Sequence, residues 1–235
     1  FDAFRETTYS VAWLDTAAPG KQLGRSILIL GEHAAEGSLD PPGPARLSVP
    51  FQAPETVLNR YSASFFNKIY YNSRRGTRAT TTTLASFFFP LDGILNWNRI
   101  YGSAGPLQYQ FVLPVESSLR GLTQILQKIA ASRQASFLTV LKLFGAGNQN
   151  SLSFPTEGYT LALDFRVTPS TLSLLKELDT IVLQNGGRFY LAKDARIASD
   201  VFRHGYPELD NFRRFRQDFG MKGVFESLQS SRLEL

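Results

Sequence analysis

The feature that most constrains the fold is a change of hydrophobic period that recurs along residues 107–192. Residues 107–113 alternate apolar side chains with glutamine, which is typical of a strand with one buried face. Residues 115–132 instead repeat apolar side chains at the spacing of an amphipathic helix. The following segments predict two strands, a second helix and a last strand, at 137–144, 159–167, 169–184 and 188–192. This βαββαβ order predicts an α+β fold, in which helices cover one face of an antiparallel, ferredoxin-like split-βαβ sheet.

The second predicted helix has clear signals at both ends. Thr168 and Pro169 suit the N-cap and the first helical position. The glycines of Asn185-Gly186-Gly187 favour the left-handed turn that ends many helices. The apolar positions expected to face the sheet are Leu119, Leu122, Ile125, Leu126 and Ile129 in the first helix and Leu172, Leu175, Leu178 and Val182 in the second.

Side chains of a strand alternate between the two faces of its sheet, so the residues of the long predicted strands form two sets. One set is uniformly apolar and should lie under the helices: Leu107, Tyr109, Phe111, Leu141, Leu143, Leu161, Leu163 and Phe165. The other set is mixed and includes a lysine: Gln108, Gln110, Lys142, Phe144, Thr160, Ala162 and Asp164. We expect this second face to be the wall of a binding site; the alternative is that it faces water or another layer of strands.

Further elements are predicted on both sides of this unit. Residues 9–14 and 25–30 are typical of strands, with a turn region at 17–20 between them. The other predictions are a mobile loop at 37–50, a helix at 55–72, a strand at 77–89 and an amphipathic helical tail at 197–235 that is broken at Tyr206-Pro207. The helix at 55–72 has its apolar residues at helical spacing: Val57, Leu58, Tyr61, Phe65 and Ile69.

Composition narrows the classes of function. The chain has no cysteine, and its two histidines, His33 and His204, have no partner at metal-ligand spacing, so we expect neither thiol chemistry nor a metal site. The net charge of +5 suits anionic ligands, but the basic residues are too dispersed for a nucleic-acid footprint. No glycine-rich nucleotide motif occurs. The 19 phenylalanines suit a groove for a bulky apolar ligand or, alternatively, an aromatic-rich core.

Short motifs along the chain carry a resemblance to a known family. They are Pro90-Leu91-Asp92, Trp97-Asn98-Arg99, Leu-Gln-Tyr-Gln-Phe at 107–111, Leu-Lys-Leu-Phe-Gly at 141–145, Leu-Ser-Phe-Pro at 152–155, Asp164-Phe165, Gly186-Gly187-Arg188 and Ala-Lys-Asp-Ala-Arg at 192–196. In these motifs and their spacing, the chain resembles the C-terminal, substrate-binding half of decaprenylphosphoryl-ribose oxidases. Those are flavin enzymes of the vanillyl-alcohol-oxidase superfamily, related to arabinono-lactone oxidase. The resemblance is strong at 9–14 and 87–235, and vague between 32 and 83.

The resemblance implies a division of the chain into two parts. Residues 1–187 would form the substrate-binding cap, and residues 188–235 would return to a flavin domain. That N-terminal FAD-binding domain would lie upstream of Phe1 and be absent from this sequence. We therefore expect a fragment that neither binds FAD nor acts by itself, whereas the whole protein would be an FAD-linked oxidase or dehydrogenase of sugar alcohols.

The resemblance also implies a set of site residues. Lys193 matches a catalytic lysine beside the flavin edge, and Gln108 and Tyr190 match further residues near the cofactor. The substrate-binding positions implied are Trp13, Gln108, Gln110, Lys142, Phe144, Thr160 and Ala162. The alternatives are an ordinary ion pair with Asp194 for Lys193, a solvated stem for Lys142, and plain core for the aromatic residues.

This chain departs from the family pattern at three positions. Ala162 stands where mycobacterial members have a cysteine, so covalent inhibition through a thiol is not expected here. Thr160 stands in place of an asparagine, and Phe89 in place of a histidine. These differences leave the implied reaction unchanged and put the exact substrate in doubt.

The function implied is the oxidation of a secondary alcohol on a lipid-phosphate-linked pentose or a sugar lactone, with hydride transfer to flavin. The alternative is a stand-alone carbohydrate- or phosphate-binding module; an RNA-binding domain is disfavoured because Phe144 is the lone aromatic on the open face. Further contacts expected are a short-chain reductase partner, peripheral contact with a membrane, and a homodimer through exposed cap surface. The expected location is cytoplasmic or peripheral to the inner membrane or cell envelope.

Overall fold

The computed structural model describes residues 1–37, 47–54, 56–74, 76, 79–134, 136 and 138–235. Its strands are β1 (Tyr9–Leu14), β2 (Ser26–Gly31), β3 (Leu47–Ser48), β4 (Ile94–Leu95), β5 (Pro106–Pro114), β6 (Thr139–Phe144), β7 (Gly158–Arg166) and β8 (Arg188–Phe189). Its α-helices are α1 (Arg60–Ser73), α2 (Leu84–Phe88), α3 (Val115–Ser132), α4 (Pro169–Gln184), α5 (Ser199–Gly205), α6 (Leu209–Asp218) and α7 (Leu228–Leu233). Within these described ranges, no helix has the length and apolar character needed to cross a bilayer.

The main sheet has six strands in the order β2-β1-β6-β7-β5-β8. All of its neighbouring strands are antiparallel. Four of these strands and two helices follow one another as β5-α3-β6-β7-α4-β8, which is the expected βαββαβ order. The prediction of an α+β fold with an antiparallel sheet is therefore confirmed. The hairpin of β1 and β2 extends the sheet beyond β6, while β3 and β4 form a separate parallel pair.

The core lies between the main sheet and the two long helices. Phe111, Leu161 and Leu163 of the sheet are fully buried there, as are Leu175 and Leu178 of α4. Burying an apolar side chain of this size stabilises a fold by roughly 1.5–3 kcal/mol. Most of the side chains expected under the helices occupy this core, which confirms the predicted face of the sheet.

Two of the expected core positions differ from the prediction. Leu119 of α3 is 82% exposed, because α3 turns Ser118 and Gly121 towards the sheet instead. A Cβ at Gly121 would lie 2.5 Å from a methyl of Leu113, so this glycine allows a close approach of helix and strand. Leu143, near the end of β6, lies outside the core cluster and borders a cavity on the other side.

The ends of α4 are those predicted. The Thr168 hydroxyl accepts a hydrogen bond from the backbone N–H of Thr171 at 3.0 Å, and Pro169 is the first helical residue. Gly186 follows the helix with a φ of +69°, which residues with a side chain rarely adopt. The last predicted strand is shorter than expected, because a single helical turn at Leu191–Lys193 follows β8.

The C-terminal tail is helical and is broken at Tyr206-Pro207, as predicted. It has a second break that was not predicted, at residues 219–227 between α6 and α7. A buried polar network joins its start to the core. Arg196 donates two hydrogen bonds to the Asp179 carboxylate of α4, at 2.6 and 2.8 Å. The Tyr109 hydroxyl donates to the same carboxylate at 3.1 Å, and burial raises the pKa of that hydroxyl.

Helix α1 begins later than predicted, because Asn59 caps it by accepting hydrogen bonds from the backbone of Tyr61 and Ser62; Glu55 lies outside the described residues. The apolar residues that predicted this helix are largely exposed. Their exposed fractions are 48% for Val57, 76% for Tyr61, 69% for Phe65 and 53% for Ile69. The side of α1 that faces the sheet carries Ala63 and Asn67 instead.

The predicted strand at 77–89 is wrong over the part that the structure describes. Thr83 accepts a hydrogen bond from the backbone of Ser86 and so begins the short helix α2. The β-branched residues before it, from position 79, belong to no strand, and Thr77 and Arg78 lie outside the described residues. Most of the predicted loop at 37–50 also lies outside them, and Leu47–Ser48 forms strand β3.

Candidate functional site

The face of the sheet away from α3 and α4 brings six of the predicted site residues together. Trp13 pairs with Val140, Val140 with Ala162, and Ala162 with Gln110, so these four lie in one row across four strands. Lys142 pairs with Thr160, and Asp164 pairs with Gln108, on the same face. The alternation of side chains along the strands thus produces a single surface from β1 to β5.

The polar end of this face is organised by side-chain hydrogen bonds between β5 and β7. Gln108 Nε2 donates to Asp164 Oδ1 at 2.7 Å, and Gln110 Nε2 donates to Thr160 Oγ1 at 3.2 Å. The Thr160 hydroxyl in turn donates to the carbonyl of Phe111 at 2.9 Å. Because each glutamine uses an amide N–H in this way, the orientation of its side chain is set before any ligand binds.

Asp164 is a further functional candidate. Strand alternation predicts it on this face, but it is not among the predicted site residues. Its side chain is buried, and burial raises its pKa, while the Gln108 hydrogen bond and the positive charge of Lys193 oppose that shift. Tyr101, also buried, has a raised pKa owing first to burial and then to the negative charge of Asp164. The signal that could have found Asp164 is its cross-strand position opposite a glutamine.

Lys193 lies at the end of this polar region, in the helical turn that follows β8. Its side chain is exposed, and among the described residues no carboxylate lies within ion-pairing distance of it. Asp194, the partner considered above, instead forms an ion pair with Arg232 at 2.7 Å and accepts from the backbone of Arg196 and Ile197. The alternative for Lys193, an ion pair with Asp194, is therefore wrong.

A cavity of about 910 Å³ adjoins the polar region on the β1 side. Three of the predicted site residues line it: Trp13, Lys142 and Phe144. The other six predicted positions, Gln108, Gln110, Thr160, Ala162, Tyr190 and Lys193, lie on the sheet face and beyond its edge rather than in the cavity wall. Lys142 is exposed at this border and has no carboxylate within 4 Å in the part of the chain described.

The outer wall of the cavity is aromatic, and the sequence pattern did not predict it. Tyr9 of β1 packs edge-to-face against Phe88 of α2, with ring centroids 4.8 Å apart. Phe87 and Trp97 line the cavity as well. The error has a simple origin, since residues 84–88 were predicted as strand, and only their helical turn directs these rings towards β1.

A series of aromatic contacts joins the cavity to the Lys193 end of the face. Phe144 packs edge-to-face on Phe154 at 5.8 Å, and Phe154 stacks on Tyr190 at 4.7 Å. The backbone N–H of Tyr190 donates to the carbonyl of Gln110, which ties this segment to β5. Phe154 is buried and was not proposed as a site residue, although it lies in one of the motifs quoted above.

Comparison with known proteins identifies two relatives of this chain. No family model matches the chain. The chain is 38% identical, over 97% of its length, to decaprenylphosphoryl-β-D-ribose oxidase of Mycolicibacterium smegmatis, and covers 51% of that protein. It is 30% identical over its whole length to an uncharacterised protein of Streptomyces coelicolor, encoded in the mprA 5′ region, and covers 68% of it.

The chain belongs to the family of decaprenylphosphoryl-ribose-oxidase-like proteins. The resemblance identified from its motifs is thereby confirmed. The chain spans about half the length of the mycobacterial oxidase, so the matched region corresponds to a portion of that enzyme. Both relatives match along nearly the entire chain, including residues 32–83, where the motif resemblance was vague.

Proposed function

We propose that this chain is the substrate-binding portion of an FAD-dependent oxidoreductase that oxidises a secondary alcohol of a lipid-phosphate-linked sugar. A sugar lactone is the related substrate class that the same chemistry would accept. The observation that carries the proposal is the set of free polar groups on one face: Lys142 and Lys193 without ion-pair partners among the described residues, on either side of oriented amides. The relationship to an enzyme named as an oxidase of decaprenylphosphoryl-ribose supports it.

The hydrogen-bond donors around Gln108 and Lys193 suit the edge of a flavin ring. A flavin bound there would supply the hydride acceptor, and a lysine at its edge would stabilise the negative charge that the reaction places on the ring. Lys193 provides the cation, and Gln108 has an amide held by Asp164. Tyr190, fixed by its stacking on Phe154, supplies an aromatic surface beside them.

The roles of the protein groups follow from these positions. Lys193 would be the main source of electrostatic stabilisation, because it is a cation with no ion-pair partner among the described residues. Gln110 and Thr160 would orient the sugar hydroxyls through their remaining hydrogen-bonding capacity. Lys142, at the border of the cavity, would bind the phosphate.

A second candidate is a stand-alone carbohydrate- or phosphate-binding module. The cavity and the unpaired Lys142 favour it, because they would bind an anionic sugar without any redox chemistry. The two candidates differ in one measurable property, since an oxidase must pass electrons from the ligand to a flavin, whereas a binding module does not.

The deciding experiment is anaerobic mixing of the intact, FAD-loaded protein with a polyprenyl-phosphoryl ribose. Loss of flavin absorbance at a rate that depends on ligand concentration is expected for the oxidase. Saturable ligand binding with the flavin absorbance unchanged would overturn the oxidase and support the module. Three further ligands are tested in parallel: ribose 5-phosphate, arabinono-lactone and inorganic phosphate. They show whether the reaction requires the lipid, the sugar or both.

We also propose that the exposed face of α1 makes the expected contact with a membrane. Helix α1 exposes Tyr61, Phe65 and Ile69, and it carries Arg60 and Lys68 with no acidic residue. An exposed apolar face flanked by basic residues suits an anionic membrane, which agrees with a lipid-linked substrate and a location peripheral to the envelope. A homodimer through the same face is the other outcome of a test, and a short-chain reductase would act on the ketone product.

A further inference from the structure

The turn that carries Lys193 has little structure of its own. It is a single helical turn, Leu191–Lys193, closed by two backbone hydrogen bonds. The Lys193 N–H donates to the Tyr190 carbonyl at 3.0 Å, and the Asp194 N–H donates to the Leu191 carbonyl at 3.2 Å. An isolated turn of this length is unstable in water, because fixing its backbone costs more free energy than so few bonds return. Its conformation, and with it the direction of the lysine, therefore depends on contacts with other parts of the chain.

Gln229 of α7 holds both ends of this turn. Its side-chain Nε2 donates to the carbonyl of Leu191 at 2.7 Å and to the carbonyl of Asp194 at 3.2 Å. An amide nitrogen has two N–H groups, so one glutamine satisfies both acceptors at once. The two carbonyls lie on either side of Lys193 along the chain. Gln229 therefore fixes their separation, and with it the backbone conformation at the lysine between them.

Arg232 of α7 holds the residue that follows Lys193. Its guanidinium forms an ion pair with Asp194 Oδ2 at 2.7 Å and also donates to the carbonyl of Ile197. The other carboxylate oxygen of Asp194 accepts from the backbone N–H groups of Arg196 and Ile197, at 3.0 and 2.9 Å. The side chain of Asp194 is only 4% exposed, so little water competes for these bonds. The chain is thus fixed immediately after the lysine as well as around it.

Helix α7 is itself anchored in the fold. Ser227 caps it by accepting a hydrogen bond from the backbone N–H of Ser230 at 3.0 Å, and Leu233 is fully buried in the core. Gln229 and Arg232 are three residues apart, so they project from the same face of the helix, towards the turn. The turn is therefore attached to a helix that the core holds in place.

The charge of Lys193 acts on the end of the polar face, since it opposes the rise in the pKa of the buried Asp164 carboxylate. We infer that Gln229 and Arg232, the α7 clamp, are positioning residues that hold the Lys193 ammonium where the edge of a flavin would lie. Both act through the turn that carries the lysine. The inference rests on the proposed function for its flavin, but the clamp is testable without any substrate.

Gln229→Met removes both hydrogen bonds to the turn and keeps the length of the side chain. In the intact, FAD-loaded protein it should slow flavin reduction by a polyprenyl-phosphoryl ribose about tenfold, because displacing a catalytic group by about 1 Å costs up to about 10²-fold. It should also lower the midpoint potential of the flavin by about 30 mV, which is a tenfold change in the equilibrium of a two-electron couple. The reason is that a displaced cation stabilises the negative charge of the reduced ring less well. Arg232→Met is a second variant of the clamp and should act in the same direction.

Gln217→Met is the matched control, because Gln217 is an exposed glutamine in α6 of the same tail. It should change neither the rate nor the potential. The decisive comparison places Gln229→Met in a Lys193→Met background. There it should cause no further change in either quantity, because the clamp acts through the lysine. Equal effects of Gln229→Met with and without Lys193 would overturn the inference and leave Gln229 with a structural role alone.

Hydrogen exchange of the intact protein tests the clamp independently of flavin and substrate. The backbone N–H of Asp194, which donates within the turn, should exchange at least about tenfold faster in Gln229→Met than in the parent or in Gln217→Met. Unchanged exchange of this N–H in Gln229→Met would overturn the inference.

The same measurements distinguish failure of this inference from failure of the proposed function. If the exchange and the flavin potential change as expected but no sugar derivative reduces the flavin, the clamp stands and the oxidase is wrong. If sugar derivatives reduce the flavin at a rate that Lys193→Met slows and Gln229→Met does not, the oxidase stands and the clamp is wrong.

Discussion

Gln108 and Asp164 face each other across β5 and β7, and the glutamine amide donates to the buried carboxylate over 2.7 Å. This bond has two consequences. It selects which way the amide is turned, so the Gln108 side-chain oxygen is directed away from the aspartate. It also offsets part of the cost of burying the charged carboxylate, so it opposes the rise in the pKa of Asp164 that burial causes.

Asp164 is expected to make stability depend on pH in an unusual direction for an acid. Because its folded pKa is raised above the ordinary 3.8, folding retains a proton that the unfolded chain has already released. The stability that this group contributes is complete below pH 3.8 and is lost as pH rises through the folded pKa. Urea unfolding of Asp164→Asn across this range should therefore show a weaker fall with pH than the parent protein.

Asp218→Asn is the control for that experiment, since Asp218 lies exposed at the end of α6, far along the chain from the sheet. The difference between parent and Asp218→Asn should not vary with pH in the same way. Parallel stability curves for the parent and Asp164→Asn would contradict the raised pKa.

Lys193→Met is expected to slow flavin reduction by about 10²–10³, the usual cost of removing one group that stabilises a developing negative charge. Stability should change by less than about 0.5 kcal/mol, because the side chain is exposed and forms no ion pair among the described residues. Anaerobic stopped-flow measurements and urea unfolding test the two statements. Lys176→Met, on the exposed side of α4, is the matched control and should leave both unchanged.

Asp179→Ala is expected to destabilise the fold by roughly 3–5 kcal/mol, because it leaves the guanidinium of Arg196 buried without its partner. Arg203→Ala removes an ion pair with Glu234 in which both side chains are more than half exposed, and should cost at most about 1 kcal/mol. Equilibrium unfolding in urea measures both values. Equal costs for the two variants would mean that the Asp179 network is not a strong link between core and tail.

Gly158→Ala tests the closeness of β5 and β7. A Cβ at Gly158 would lie 2.0 Å from the carbonyl oxygen of Leu113, which is backbone and cannot rotate away. Overpacking of this kind costs about 1–3 kcal/mol and should lower the melting temperature. Gly37→Ala is the control, because nothing lies within 4 Å of a Cβ at that position.

Phe65→Glu and Ile69→Glu should each reduce co-sedimentation of the intact protein with vesicles rich in phosphatidylglycerol, if α1 contacts a membrane. Ser64→Glu adds the same charge to the same helix without removing apolar area, and should have a smaller effect. Loss of dimers in sedimentation velocity, with vesicle binding unchanged, would instead identify the face as an interface between two copies of the chain.

The helices α3 and α4 could be predicted to the residue because their determinants are local. The apolar period of α3 begins immediately after the strand, and Thr168, Pro169 and Gly186 specify the ends of α4 through backbone geometry alone. The strand predicted over residues 79–88 is wrong, because β-branched composition favours a strand only when a neighbouring strand is available to pair with it.

The sequence by itself determined the βαββαβ order and which residues share a face, since both depend on periods of two and 3.6 residues along the chain. Tertiary structure alone decided which face of α1 packs inward, because buried Asn67 donates to Asp15, a residue 52 positions away. It also decided that Asp194 pairs with Arg232, so that Lys193 has no ion pair among the described residues, and that helix α2 closes a cavity over β1. These outcomes depend on groups distant in sequence competing for the same partner or space, and no local pattern encodes that competition.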